Sequence, residues 1–169
     1  MPPGRCRPMP LLLPAAVPLG GWLGRLGEWV NGGMLTQLLR TKLHQARVTA
    51  ADVNYIGSIT IDAELLEQVG MLPYERVQVV DLENGNRLET YIIRGEPGSG
   101  TIQLNGAAAH LVRPGDRVII MAYTLVPLPL HGQWTPKVAL LDHHNRICQW
   151  LVEGPATVTD GELVASLAG

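Results

Sequence analysis

Three places in the 169-residue chain carry side chains that could do chemistry. Lys42 and His44 lie two residues apart in TKLHQARVT (41–49), so on a strand they would project to one face. An ammonium beside an imidazole can hold an anion and move a proton, although the same pair also makes an ordinary polar edge on a half-buried strand. His143-His144 beside Asp142 are metal-ligand types, but adjacent histidines on a loop read as a solvated turn, and no metal is expected. Gly57-Ser58 interrupts the β-rich run AADVNYIGSITID; taken alone, it reads as a bulge or turn. There is no phosphate-cradling glycine motif, HExxH, CxxC or GxSxG.

The elements that must position these residues are set by composition. Apolar residues make up 46% and charged residues 17%, with 19 Gly, 13 Pro and no Phe, which predicts a turn-rich β protein whose core is mostly Val, Ile, Leu and Ala. So little charge on a free surface points to burial in an oligomer. A net charge of −2 excludes the basic footprint of a nucleic-acid partner. The apolar run from Leu11 to Leu19 is broken by Pro14 and Pro18 and is too short to cross a bilayer, so no membrane role is expected. Cys6 and Cys148 are far apart and imply neither a disulfide framework nor a metal cluster.

Residues 1–33, rich in Pro and Gly and without a sustained period, read as a disordered or mis-annotated N-terminal extension, with the folded body beginning at Met34. Asp62 is the expected N-cap of a short helix, AELLEQV, with Gly70 as its stop and Leu65, Leu66 and Val69 as its buried face. Val77, Val79 and Leu82 alternate with polar neighbours, Val80 excepted. Asn84-Gly85 then predicts a tight hairpin with both residues at positive φ, and LETYII is the return strand. EPGSG (96–100) is a second turn, TIQLN a further strand, and GAAAH (106–110) a loop entering one helical turn. Arg113-Pro114-Gly115-Asp116 leads into RVIIMAYTLV, expected to be the longest strand. Beyond Pro127 the pattern fades, and residues 151–169 read as a weakly ordered tail. Many short strands with one or two short helices predict a compact β-barrel over 34–150.

The order of these pieces adds a further expectation. Lys-x-Leu-His, Tyr-x-Gly-Ser, Asn-Gly-x-Arg-x-x-Thr-Tyr and Asn-Gly-Ala-Ala-Ala-His, in this sequence and spacing over roughly residues 34–125, resemble the aspartate 1-decarboxylase family, with a thinner echo in WTPKVALLD. The resemblance implies a double-psi β-barrel and a chain that cuts itself between Gly57 and Ser58, leaving a covalent pyruvoyl group derived from Ser58. It also implies a cytoplasmic homotetramer with sites between subunits, acting on L-aspartate for pantothenate biosynthesis, with a maturation factor as a possible partner.

The residue types suit that chemistry. Gly57 lets the Ser58 hydroxyl approach its carbonyl, and Thr90 matches the family position that assists this step. The resulting ketone condenses with the aspartate amine and takes up the electron pair released with CO₂. By resemblance Tyr91 is the proton donor, a position that cross-strand packing alone would also explain. Arg87 offers a bidentate fork for a carboxylate and Lys42 a point charge. His44, Asn105 and the small residues Gly106, Ala107 and Ala108 complete the substrate-binding set, with Tyr55 nearby. Some family members carry an aromatic residue where this chain has Val80; if that position lines the pocket, the pocket here is wider or less rigid. The competing expectation is an uncleaved, non-catalytic double-psi barrel serving binding or assembly.

Overall fold

The computed structural model describes residues 34–56 and 58–152. Gly57, the proline-rich head (1–33) and most of the expected tail (153–169) lie outside the described residues. The chain forms β1 (Leu35–Arg47), β2 (Ala50–Asp52), β3 (Ile59–Asp62), α1 (Ala63–Val69), β4 (Arg76–Asp81), β5 (Arg87–Gly95) and β6 (Ile102–Asn105). A 3-10 turn (Gly106–Leu111), β7 (Arg117–Pro127), a second 3-10 turn (Leu128–Gln133), β8 (Lys137–Leu141) and β9 (Ile147–Val152) follow. The expected mainly β fold is therefore found.

All nine strands join one sheet in the order β2-β6-β3-β5-β4-β7-β1-β8-β9. Consecutive strands β1 and β2 thus stand six places apart, about 29 Å in a flat sheet. The three peptide units from Arg47 to Ala50 reach about 11 Å at most. The sheet must therefore curl until its β2–β6 end meets the C-terminal end of β1. The closing bonds are Val48 N–H to Asp116 O (2.9 Å) and Thr49 N–H to Ile102 O (2.8 Å). Inside the curl lie Leu43, Ile59, Ile61, Val77, Val79, Ile92, Ile102, Leu104, Val118 and Ile120, all at most 1% exposed.

α1 forms as the sequence predicts. The Asp62 carboxylate accepts from Glu64 N–H at 2.9 Å, Gly70 closes the helix in the left-handed region, and Leu65, Leu66 and Val69 are buried. Asp62 also accepts from Gly98 and Gly100 N–H, which ties the EPGSG turn to the helix start.

Several expectations are corrected. The longest strand is β1, with 13 residues against 11 in β7. Its imperfect alternation has a cause: the ladder with β7 shifts between Leu43 and Ala46, and Gln45 sits at φ 62. This bulge lets Leu43 and Ala46, three residues apart, both face the core. Leu82 leaves the strand and is exposed, while Val80 is the buried residue. The Asn84-Gly85 connection is longer than a two-residue turn: Asp81 N–H bonds Asn86 O, and only Gly85 has positive φ (77°), where a Cβ would be strained. Beyond Pro127 the pattern does not end, because β8 pairs parallel to β1 and β9 pairs antiparallel to β8.

Candidate active site

Ser58 immediately precedes β3. Ile59 pairs with Leu104 on β6 and with Ile92 on β5, so Ser58 is flanked by Asn105 on one side and Tyr91 on the other. The Asn105 N–H donates to the Ser58 carbonyl oxygen at 2.8 Å. Ile59 is fully buried, so strand alternation turns Ser58 to the opposite, outer face. Ser58 is half-buried there.

Asn105 is 1% exposed and firmly held. Its Nδ2 donates to Thr60 Oγ1 at 3.0 Å, and its Oδ1 accepts from Gln103 Nε2 at 2.7 Å. The 3-10 turn that follows begins at Gly106 with φ 61, a conformation that favours glycine. Ala107 and Ala108 continue it without side-chain bulk, one exposed and one half-buried. At its far end the Leu111 carbonyl accepts from the Asn84 and Asn86 side chains, at 3.3 and 2.9 Å. The turn therefore bridges the Ser58 corner and the hairpin that delivers Arg87.

On β5 the alternation puts Leu88, Thr90 and Ile92 on one face and Arg87, Glu89 and Tyr91 on the other. Thr90 is half-buried toward the core side, opposite Val77; Tyr91 is 42% exposed, opposite Arg76. Arg87 is exposed at the strand start, four residues from Tyr91, and the buried Val80 faces it across the ladder.

Lys42 and His44 stand on β1, two residues apart and on the face opposite Leu43, as the spacing predicts. His44 Nδ1 is buried without a hydrogen-bond partner among the described residues. Burial, and then the neighbouring Lys42 charge, push the imidazole below its ordinary value of 6.5, so it is neutral at pH 7.

The sequence-expected residues thus fall into groups. Ser58 and Asn105 pair at one corner, with Gly106, Ala107 and Ala108 following Asn105 in the chain and Thr90 and Tyr91 on the adjacent strand. Lys42 and His44 lie four strands away from Ser58 in the sheet. The cations of the expected site are unspent. Arg40, Arg76, Arg94, Arg117 and Arg146 each pair with a carboxylate, whereas Lys42 and Arg87 have no ion pair among the described residues. Tyr55 and its neighbour Ile56 are exposed ahead of Ser58. His143 and His144 pack ring to ring on a turn capped by Asp142, and among the described residues no group of three or more His, Cys, Asp or Glu is arranged to hold a metal. Also among those residues, no helix is long and apolar enough to cross a membrane.

Thr60 and Gln103 were not singled out from sequence. The available signal was polar residues two apart on strands that otherwise read Ile and Leu: Ser58 with Thr60, and Gln103 with Asn105.

Comparison with known proteins adds an independent finding. The family model described as aspartate decarboxylase matches residues 34–148. The chain is 54% identical over 123 residues to an aspartate 1-decarboxylase of Geobacillus sp. (strain WCH70), covering 73% of this chain and 97% of that one. It is 55% identical over 114 residues to the aspartate 1-decarboxylase of Caldicellulosiruptor saccharolyticus, covering 68% and 89%. With that of Anoxybacillus flavithermus it shares 52% over 123 residues, covering 73% and 97%.

Proposed function

The chain belongs to the aspartate decarboxylase family, and on that premise we propose that it converts L-aspartate to β-alanine and CO₂ for pantothenate and coenzyme A biosynthesis, using a pyruvoyl group made from its own Ser58. The observation that carries the reading is the Ser58 corner: a serine at a strand start, its carbonyl held by Asn105 N–H at 2.8 Å.

The group would be made by rearrangement of the chain. Ser58 Oγ attacks the Gly57 carbonyl carbon, the peptide C–N bond breaks, an ester forms, and the hydroxyl proton passes to the freed nitrogen. Loss of the residue 58 Cα proton to solvent then breaks the Oγ–Cβ bond and expels the Gly57 carboxylate. The remaining dehydroalanine takes up one water and releases ammonia, leaving a ketone. Thr90 is the residue carried over from the family for assisting the first attack.

The residues at hand fit such a group. Asn105 N–H would hold the carbonyl next to the ketone, and the small residues Gly106, Ala107 and Ala108 let their own backbone N–H groups come close to a ligand. When formed, the pyruvoyl group supplies an electron sink for the pair released as the α-carboxylate leaves. Tyr91, exposed on the strand beside Ser58, is the proton donor to the carbon left behind. Arg87 and Lys42, cations without carboxylate partners, bind the aspartate carboxylates, with His44 beside Lys42.

The protein works as a cytoplasmic homotetramer with a double-psi barrel in each subunit, built over residues 34–150. Two observations support assembly. Lys42 and Ser58 face outward four strands apart on a curled sheet, so one chain does not aim both at a single ligand. Leu72, Tyr74, Ile56 and Leu125 are also largely exposed, as expected of surface covered by neighbouring subunits.

Denaturing mass analysis of the full chain tests the reading. The expected result is one fragment ending at residue 57 and another beginning at residue 58, the second lighter by one ammonia than a serine terminus. Ser58→Ala should remain one chain and make no β-alanine. A wild-type chain that decarboxylates aspartate while intact would overturn the assignment, and one that neither cleaves nor turns over would favour a binding barrel.

A further inference from the structure

We propose that Asn86 is a positioning residue for substrate binding: by holding the Leu111 carbonyl it sets the base of Arg87 against the Ser58 corner, so that the guanidinium meets a carboxylate of an aspartate bound there. The inference rests on the reading of Arg87 as a carboxylate-binding cation and extends it to the residue that the Asn-Gly-x-Arg motif leaves open.

The links form a closed circuit. At one end the Asn105 N–H holds the Ser58 carbonyl oxygen at 2.8 Å. From Asn105 the 3-10 turn runs Gly106–Leu111, and at its far end the Leu111 carbonyl accepts from Asn86 Nδ2 at 2.9 Å and from Asn84 Nδ2 at 3.3 Å. Arg87 follows Asn86 and opens β5, which returns to Tyr91 beside Ser58. The two long sides are of similar length: four residues of strand span about 13 Å, and five steps of 3-10 helix about 10 Å. Among the described residues, no strand ladder ties these sides together. β3 first meets β5 at the Ile59–Ile92 pair, so residues 87–91 pair with β4 alone.

Asn86 is better placed than Asn84 to make the tie. Its carbonyl oxygen accepts from Asp81 N–H at 2.9 Å, and its N–H donates to Asn84 Oδ1 at 2.7 Å, so its backbone is fixed from both sides. Its bond to Leu111 is the shorter of the two, and Asn84 Nδ2 is shared with Asp81 Oδ2 at 2.9 Å. Asn86 is half-buried, and water could satisfy the Leu111 carbonyl in its place, so the bond adds little to stability. Water would not hold the hairpin at a fixed distance from the turn. What the bond supplies is position, on which a planar fork depends when it must meet both oxygens of a carboxylate.

Steady-state kinetics on fully cleaved protein, with melting temperatures in parallel, tests the inference. Asn86→Ala should raise KM for L-aspartate about three- to tenfold, the size of one neutral hydrogen bond. Cleavage and kcat should stay at wild type, because Ser58 and Tyr91 lie at the other end of the circuit. In the Arg87→Ala background the same change should add nothing to KM, since a positioning residue acts through the group it positions. Asn86→Ser, whose hydroxyl is too short to reach Leu111, should show the same rise and decides where the alanine variant does not fold. A wild-type KM in these variants, beside a raised one in Arg87→Ala, would overturn the inference and leave the reading of Arg87 intact. Effects that multiply in the double variant would also overturn it, as would a joint fall in kcat, cleavage and melting temperature. An unchanged KM in Arg87→Ala would remove that reading and this inference with it.

Discussion

Ser58 and Tyr91 occupy matching positions on neighbouring parallel strands, each one residue ahead of the Ile59–Ile92 pair. The two side chains share the outer face of the sheet, and Tyr91 is 42% exposed there. The phenol is thus presented beside Ser58, the proposed source of the pyruvoyl group, without being needed by the core.

Tyr91→Phe follows from this placement. The ring stays and only the hydroxyl goes, so folding and cleavage at Ser58 should match wild type, whereas kcat for aspartate should fall by about 10²–10⁴, the usual contribution of a positioned acid. Steady-state kinetics on fully cleaved protein measures it. A variant with wild-type kcat would remove Tyr91 as proton donor.

Arg87 should act on binding. It has no carboxylate partner among the described residues, and its hairpin is pinned through Asn84 and Asn86 to Leu111, so the guanidinium is available and its base is fixed. A charge-assisted bond of about 1.5–3 kcal/mol corresponds to roughly 10- to 150-fold in affinity. Arg87→Ala should raise KM by that order, and Arg87→Lys should recover part of it because the charge returns without the fork. An unchanged KM would take Arg87 out of substrate binding.

Local signals made much of this fold legible. Asp62 and Gly70 delimit α1 because a carboxylate cap and a left-handed stop are written in single residues. The Lys42–His44 face and the helical turn at 106–110 were readable for similar reasons. What failed needed distant partners. β8 has only a short apolar segment, and its strand character comes from pairing alongside β1, nearly a hundred residues earlier. Val80 and Leu82 exchanged places because the chain turns right after Asp81, where backbone bonds to Asn86 and Gly85 end the alternation. In the site, a motif reading finds Asn105 but not Thr60 or Gln103. Their part depends on the register between β3 and β6, which strand patterns alone do not set.

Asn145 fastens the late strands to the early ones. It is 1% exposed, at φ 60, and its side chain bonds Arg47 N–H, Arg47 O and Gly100 O at 2.7, 2.9 and 2.7 Å. Asn145→Ala removes all three and strands buried backbone groups. It should cost about 3 kcal/mol at roughly 1 kcal/mol per bond, readable in urea unfolding. Tyr91 and Arg87 lie on a different strand, so the cleaved, folded variant should keep its KM. A loss below about 0.5 kcal/mol would show that water replaces these bonds.

The pH dependence of stability isolates His44. Burial and the adjacent Lys42 hold its folded pKa below 6.5, so between that folded value and 6.5 the unfolded chain binds more protons than the folded one. Its contribution is complete above pH 6.5 and is lost as pH falls through 6.5 toward the folded value. Asp62 and Asp142 are also lowered, since backbone N–H donors outweigh the upward push of burial, but as carboxylates they act in a more acidic window. Asp81 moves the other way, raised by burial and by Asp116, and so loses its contribution as pH rises through its folded value. Urea unfolding between pH 7.5 and 5.5 should therefore show wild type weakening with acid, and His44→Asn weakening less over the same interval. Equal slopes for the two proteins would mean that protonating this imidazole meets no penalty from burial or from Lys42.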